Sequence, residues 1–347
     1  DDERRAAAGD PAQWLARAPL LAAYIACLAG ASALSNCSLL AALYRSPTNG
    51  LFFLLLQVAI ADVAVVMAVA PEIWTYHANN WIFGSSGCVA YRGLIVFATS
   101  ITSYLICTVA LHTLATVNLE EKELMKTHRG NDNDDEEIRS SRHSLVAASD
   151  SSTPPRTMNL DYRESKTSIP IKQPTIFVWI LSISLSVPDF ALATTVELNK
   201  NTIVCTIVDS NQRLHLYSIL ALLNLTLPII LMCIALVLVI EKLRSRKLIL
   251  LDQCESIAAL KLSLLLLVMY LIMGVPRSVL TAYNIYFSSV TMSDTYIIES
   301  IQQNNSTPIM GMSFSCIYLA TVLLRPIFSV LILPSVKRAL SFGHRNI

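Results

Sequence analysis

Long apolar runs alternate with short polar segments along the whole chain. Seven of these runs are long enough to cross about 30 Å of hydrocarbon as helices. Inside lipid, an isolated span must be helical, because nothing else satisfies its backbone N–H and C=O groups. The pattern therefore predicts an all-α fold, a bundle of seven transmembrane helices at residues 18–44, 50–76, 88–118, 174–196, 214–241, 256–287 and 310–332.

The polar segments between these runs predict the rest of the organisation. Residues 1–17 form an N-terminus, 18–116 hold helices 1–3, 117–173 form a loop, and 174–332 hold helices 4–7. The last part, 333–347, is expected to hold a short amphipathic helix on the inner membrane surface, followed by a tail.

The 117–173 loop is acidic and rich in Ser and Thr. Clustered charge and few apolar residues cannot offset the entropy of folding, so this segment is expected to be disordered. Two interpretations stay open, a cytosolic platform with phosphorylatable hydroxyls and a tolerated linker.

Composition supports a membrane protein and excludes several other classes. Of 347 residues, 54% are hydrophobic and 15% charged, against about 25% charged in a soluble domain. A net charge of +1 and the lack of a basic stripe argue against nucleic acid as a partner. No Ser/His/Asp grouping, paired carboxylates or metal-ligand cluster converges within the spans, no zinc-type Cys spacing occurs, and the acidic run 131–137 is interpreted as solvated. We therefore expect no enzyme, no cofactor and no metal site.

Asp62 lies near the middle of the second predicted span, and Arg325 is the one charged residue of the seventh. A charge inside hydrocarbon costs a few kcal/mol even on lenient insertion scales, so both side chains are expected to face the bundle interior and to find partners there.

The distribution of Lys and Arg favours an N-terminus outside and a C-terminus in the cytoplasm, since more of them then fall inside. Most of the excess of inner Lys and Arg lies in the 117–173 loop, and long loops are weak evidence for orientation. Sequons at Asn304 and Asn305, before the last span, agree with this orientation if they are glycosylated. We therefore expect a multi-pass glycoprotein of the plasma membrane.

Several marks occur in order and in the expected spans. They are Leu56-Gln-Val-Ala-Ile-Ala-Asp62, Trp81-Ile-Phe-Gly84, Cys88, Trp179 with Pro188, Pro228, Pro276 and Pro326. Together they resemble the class A (rhodopsin-like) G-protein-coupled receptor family over nearly the whole chain. Asn36 fits the asparagine that the family carries in its first span.

The resemblance implies a receptor that binds an extracellular ligand and transmits a signal by helix rearrangement. It also implies a disulfide between Cys88, at the top of the third span, and Cys205, in the loop between spans four and five. Such a bond would hold that loop over the mouth of the bundle.

Three signalling motifs of the family are replaced. His112-Thr113-Leu114 stands where Asp-Arg-Tyr is expected, Met273-Gly274-Val275-Pro276 replaces Cys-Trp-x-Pro, and Arg325-Pro326-Ile-Phe-Ser329 replaces Asn-Pro-x-x-Tyr. We therefore expect altered or weak activation of a heterotrimeric G protein.

Arg325 lies where the family's seventh-span asparagine approaches Asp62, an aspartate that in typical members helps to bind sodium. A guanidinium there would replace the ion with a fixed pair, because its planar fork matches a carboxylate. The alternative is a hydrated Asp62 with Arg325 extending toward the inner membrane face.

The ligand class is narrowed mainly by exclusion. Ile95 replaces the aspartate of amine receptors, and residues 310–332 contain no lysine for retinal. Charged and aromatic residues near the outer ends favour a peptide, although each one can instead be a solvated rim or packing residue. These candidates are Glu72, Trp74, Tyr91, Arg92, Asp189, His215, Tyr217, Arg277 and Tyr283.

A second function class stays open, a non-signalling seven-helix binding or scavenger protein, or a transporter, on the same scaffold. A transporter is expected to show related halves or paired broken helices, and the sequence shows neither.

Overall fold

The structure is a computed structural model that describes residues 11–44, 50–78, 80–141, 169–199, 202–207, 218–245, 255–280, 282 and 306–343. Within these ranges seven helices are long and apolar enough to cross a membrane, which confirms the predicted seven-helix bundle. In chain order they are α1 (Pro11–Tyr44), α2 (Gly50–Ala78), α3 (Gly84–Ser141), α4 (Lys172–Leu192), α5 (Ser218–Arg244), α6 (Glu255–Leu280) and α7 (Ser306–Ile332).

Helices α5 and α6 each contain one wider, π-helical turn shortly before a proline. These turns are Leu222–Thr226 ahead of Pro228 and Tyr270–Gly274 ahead of Pro276. Proline lacks an N–H, and in a regular α-helix its ring clashes with the carbonyl four residues earlier. The wider turn relieves this clash. Both turns lie next to groups that the candidate site uses.

Helix α3 runs through the centre of the bundle and contacts α2, α4, α5 and α6. The outer faces of α4 and α5 instead expose large apolar side chains at helical spacing, among them Ile176, Ile180, Ile183, Ile230 and Ile234. In water such a surface would drive association, whereas in a bilayer it is the face that meets lipid tails.

The length of α3 differs from the prediction of a span at 88–118 followed by disorder. The helix continues to Ser141. Residues 119–126, Leu-Glu-Glu-Lys-Glu-Leu-Met-Lys, are strong helix formers, and a helix already nucleated in the membrane extends at little cost. The rest of the predicted disordered segment, residues 142–168, lies outside the described residues.

A short β-hairpin, which the hydrophobic pattern did not predict, follows α4. That helix ends at Leu192, not at residue 196, and β1 (Ala193–Asn199) pairs antiparallel with β2 (Thr202–Ile207). Both strands are rich in Thr, Val and Ile, which suit extended backbone. Because the two strands cover each other's backbone groups, they can lie outside the helical bundle.

The expected disulfide between Cys88 and Cys205 is present and joins β2 to the start of α3, with the two Cα atoms 5.5 Å apart. A second attachment comes from the segment before α3, where the Trp81 N–H donates to the carbonyl of Ile203 at 2.8 Å. The buried indole of Trp81 donates to Gly84 O at 2.7 Å, across a turn in which Gly84 has a φ of 70° that favours glycine. We call this end of the bundle the hairpin end.

At the opposite end, the predicted short amphipathic helix is present as α8 (Pro334–Gly343), which packs against α1 and α7. Leu333 and Val336 are buried, whereas Lys337 and Arg338 are exposed. This division of apolar and basic faces suits a helix at a membrane surface.

We predict that Cys88→Ser lowers the amount of protein displayed at the cell surface. The bond ties the hairpin to α3 across a long stretch of chain, and loss of a native disulfide of this kind typically costs about 2–5 kcal/mol. Flow cytometry with a surface tag would measure the effect. Cys37→Ser is the matched control, because Cys37 is an exposed free cysteine of α1. Equal display of the parent and Cys88→Ser would contradict a structural role for the bond.

Candidate functional site

Asp62 and Arg325 are in contact inside the bundle. Arg325, on α7, donates from Nη1 to Oδ1 of Asp62, on α2, and both side chains are almost fully buried. Asn36 of α1 lies nearby, and its Nδ2 donates to the carbonyls of Ser32 at 2.9 Å and Val322 at 3.2 Å. The Asp62–Arg325 contact therefore joins α2 to α7. The hydrogen bond from Asn36 to Val322 joins α1 to α7. We call Asp62 and Arg325 the α2–α7 pair.

A second buried ion pair lies nearer the hairpin end. Arg277, on α6, donates from Nε to Oε2 of Glu72, on α2, at 3.1 Å, and its Nη2 contacts the same oxygen. The same Nε also lies 3.3 Å from Ser315 Oγ on α7. Both residues of this α2–α6 pair were expected at the outer rim as ligand contacts, yet they are only 4% and 3% exposed. Burial of one without the other would be costly, which explains why they lie together inside.

The ring of Tyr318, on α7, lies between the two arginines. The Cζ atom of Arg277 is 5.0 Å from the ring centroid, and that of Arg325 is 5.9 Å away. Both distances are within the range of cation–π attraction. Glu72, Arg277, Tyr318, Arg325 and Asp62 thus form a continuous set of contacts through the bundle, which we call the charged column.

Tyr270, on α6, closes the column from the side. Its ring meets Tyr318 edge-on at 6.3 Å and lies 6.0 Å from the Cζ of Arg325. Gly274 makes room for it, since a Cβ atom there would lie 3.2 Å from the tyrosine ring. The family motif has tryptophan at this position, so the departure from the motif has a steric reason in this bundle.

A third ion pair joins α3 to α4 at the hairpin end. Arg92 donates from Nη2 to Asp189 Oδ1 at 3.3 Å, with the carboxylate buried and the guanidinium slightly exposed. The helices approach closely here, since a Cβ on Gly93 would lie 2.2 Å from the ring of Phe190. The structure thus pairs these two candidate ligand residues with each other.

The remaining ligand candidates are divided between described and undescribed parts. Trp74 is half-buried on α2, and Tyr91 stacks on the indole of Trp81 with centroids 5.2 Å apart. Five predicted residues lie outside the described residues, namely His215, Tyr217, Tyr283 and the sequon residues Asn304 and Asn305.

The residues that replace Asp-Arg-Tyr lie where α3 approaches α6. The hydroxyl of Thr113 is 3.1 Å from Ser263 Oγ on α6, and Leu114 packs against an apolar cluster that includes Val117, Val239 and Leu260. His112 is half-buried beside the first residue of α2. A small polar contact and an apolar cluster therefore occupy the position where the family's Asp-Arg-Tyr motif has its arginine.

Two acidic residues of α3 that the sequence analysis did not single out bond to α5 and α6 at this end. Glu121 accepts from the ammonium of Lys242 on α5, and Glu120 Oε1 accepts from Ser256 Oγ on α6 at 2.6 Å. They had been assigned to the disordered loop, and only the continuation of α3 brings them to their partners.

Polar contacts also gather at the π-helical turn of α5. Ser100, on α3, donates to the amide oxygen of Asn224, and the phenol of Tyr104 donates to the carbonyl of Leu223 at 2.6 Å.

Among the described residues, no group of three His, Cys, Asp or Glu side chains is arranged to hold a metal ion.

We predict that reversing both charges of the α2–α7 pair is tolerated better than reversing either one. Asp62→Arg or Arg325→Asp alone leaves two like charges buried together, whereas a broken buried pair typically costs about 3–5 kcal/mol. Surface display and thermal stability of the two single variants and the double variant would measure this. Lys261→Gln, at an exposed position on α6, controls for loss of a charge as such. A double variant no better than the worse single one would contradict a direct pairing.

We further predict that Gly274→Trp, which restores the family's aromatic residue, lowers thermal stability. The indole would overlap the space of the Tyr270 ring, and overpacking of this kind typically costs about 1–3 kcal/mol. Gly30→Trp is the matched control, because nothing lies within 4 Å of a Cβ placed on Gly30. Equal melting temperatures of Gly274→Trp and the parent would show that this position has free space.

A comparison with known families agrees with this architecture. The sequence model of the 7 transmembrane receptor (rhodopsin family) matches residues 157–328, about half of the chain. No curated protein matches at a significant level. Members of the family bind extracellular ligands and usually act through G proteins, and the family is not generally one of enzymes. With this match and seven membrane-capable helices, the chain belongs to the rhodopsin family of G-protein-coupled receptors and is a multi-pass protein of the plasma membrane.

Proposed function

We propose that this receptor binds a peptide at its hairpin end and transmits binding through the charged column to the opposite end. The observation that carries the proposal is the α2–α6 pair, Glu72 with Arg277, which lies nearer the hairpin end than the α2–α7 pair and is linked to Asp62 and Arg325 through Tyr318. A ligand that shifts α6 against α2 at this level also changes the environment of the deeper pair.

The orientation that we propose has the hairpin end and the N-terminus outside. Disulfides such as Cys88–Cys205 persist in oxidising compartments. The basic face of α8, with Lys337 and Arg338, then lies at the cytoplasmic surface, where anionic lipids attract it.

A peptide suits the charges near the hairpin end better than an amine or retinal. The position of the amine-binding aspartate is the apolar, buried Ile95, and α7 has no lysine for a Schiff base. Glu72, Arg277, Arg92 and Asp189 present both signs of charge. Since each is already in an ion pair, a ligand must offer a replacement partner to engage one of them, and a peptide can offer either sign.

Coupling to a G protein is proposed to be weak or altered. Thr113 stands in place of the arginine that contacts the G protein, and it is buried near Ser263. At the same end of the bundle, Glu121 of α3 bonds to Lys242 of α5, and Glu120 of α3 bonds to Ser256 of α6. Activation therefore requires the separation of contacts that differ from those of typical family members.

The experiment screens a peptide library on cells that express the chain together with a panel of G proteins. Surface binding of labelled peptide, recruitment of G protein and cellular uptake are recorded in parallel. We expect saturable binding to a peptide, weakened in Arg277→Gln, with recruitment that is small or limited to few G proteins. Lys261→Gln serves as the charge-loss control.

Two outcomes would contradict the proposal. Accumulation of solute inside the cells without recruitment would support a transporter. Binding with no change in recruitment or in the separation of spin labels on α3 and α6 would support a non-signalling binding protein.

A further inference from the structure

A small cavity lies beside the α2–α7 pair. Its wall includes Asn36, Asp62 and Arg325 together with the apolar side chains of Leu55 and Leu266, and it has room for about one water molecule. A fourth polar residue of the wall, Ser329 of α7, donates its hydroxyl to the carbonyl of Arg325. Because these residues come from α1, α2 and α7, the cavity lies where the three helices meet.

Asn36, Asp62 and Arg325 each have one buried atom with no hydrogen-bond partner in the part of the chain that the structure describes. These atoms are Oδ1 of Asn36, Oδ2 of Asp62 and Nη2 of Arg325. The Asn36 amide nitrogen already donates to two carbonyls, which fixes the amide so that its oxygen is left over. Unpaired buried polar atoms are costly, so three around one cavity indicate a bound partner.

The resemblance to typical family members implies a sodium ion beside Asp62, and the residues present do not fit one. The guanidinium of Arg325 contacts the carboxylate directly, so it already neutralises the charge that would attract a cation. Its unpaired N–H donor repels a cation in the adjoining cavity. A small anion fits no better, because the free oxygens of Asp62 and Asn36 are both acceptors.

We infer that this cavity binds one water molecule in place of sodium. Water donates its two hydrogens to Asn36 Oδ1 and Asp62 Oδ2 and accepts from Arg325 Nη2, which completes all three groups at once. The water molecule thereby connects Oδ1 of Asn36, on α1, to the α2–α7 pair. This inference is independent of the proposed peptide function, since it concerns the resting bundle without a ligand.

The first test measures the melting temperature of the purified receptor in sodium chloride and in choline chloride at equal ionic strength. The parent and Arg325→Lys, which keeps the charge, are expected to show no difference between the two salts. Arg325→Asn, which removes it, is expected to gain a saturable stabilisation by sodium. A sodium-dependent rise in the parent, or none in Arg325→Asn, would overturn the inference.

The second test needs no variant and uses radiolytic labelling in ¹⁸O-water, which marks side chains next to bound water. Leu55 and Leu266 line the cavity, whereas Leu105 and Leu319 are equally buried and do not line it. We expect several-fold more labelling at the first two than at the second two. Equal labelling of all four would overturn the assignment of water, including in the case that Arg325→Asn does not fold.

Discussion

Two carboxylates of α2, buried inside the bundle, constrain the arrangement of the helices around them. A lone carboxylate at this depth is costly, so Asp62 and Glu72 each need a cation within hydrogen-bonding reach. Arg325 of α7 and Arg277 of α6 provide them. Since the acids are ten residues apart on one helix, about 15 Å along its axis, they fix the height of α6 and of α7 separately.

The departures from the family's motifs are physically connected in this chain. Gly274 in place of tryptophan leaves space for Tyr270, whose ring faces Arg325. Arg325 itself takes the place of the seventh-span asparagine, and Tyr318 stacks between it and Arg277. Restoring one motif alone would therefore disturb its neighbours, which is why we interpret the substitutions as one repacked core and not as separate losses.

Sequence alone predicted the features that depend on local pattern. The seven spans followed from apolar length, and the amphipathic α8 from its division of apolar and basic positions. The resemblance, more than the pattern, led to the Cys88–Cys205 bond. Helix α3 was predicted too short because charge in residues 119–137 was interpreted as disorder, although Glu, Lys, Leu and Met are also good helix formers. The hairpin was missed because its strands continue an apolar run.

Contacts between distant residues were harder to predict. Glu72 and Arg277 were placed at a ligand-facing rim because each lies near the end of a span, and nothing in the local sequence links positions on α2 and α6 that meet only after folding. Tyr318 carried no signal, because a tyrosine in an apolar helix has many roles. By contrast, Asp62 lies near the middle of its span and Arg325 is the one charge of the seventh predicted span, so their approach was expected on electrostatic grounds.

The most direct test of the charged column is a double-mutant cycle with Asp62→Asn and Arg325→Gln, read as the thermal stability of the purified receptor in lipid nanodiscs. We predict that the two losses are far from additive, with a coupling energy of about 1–3 kcal/mol, as for residues in direct contact. Losses that simply add would show that the aspartate and the arginine are stabilised independently, and that α2 and α7 are held together by other contacts.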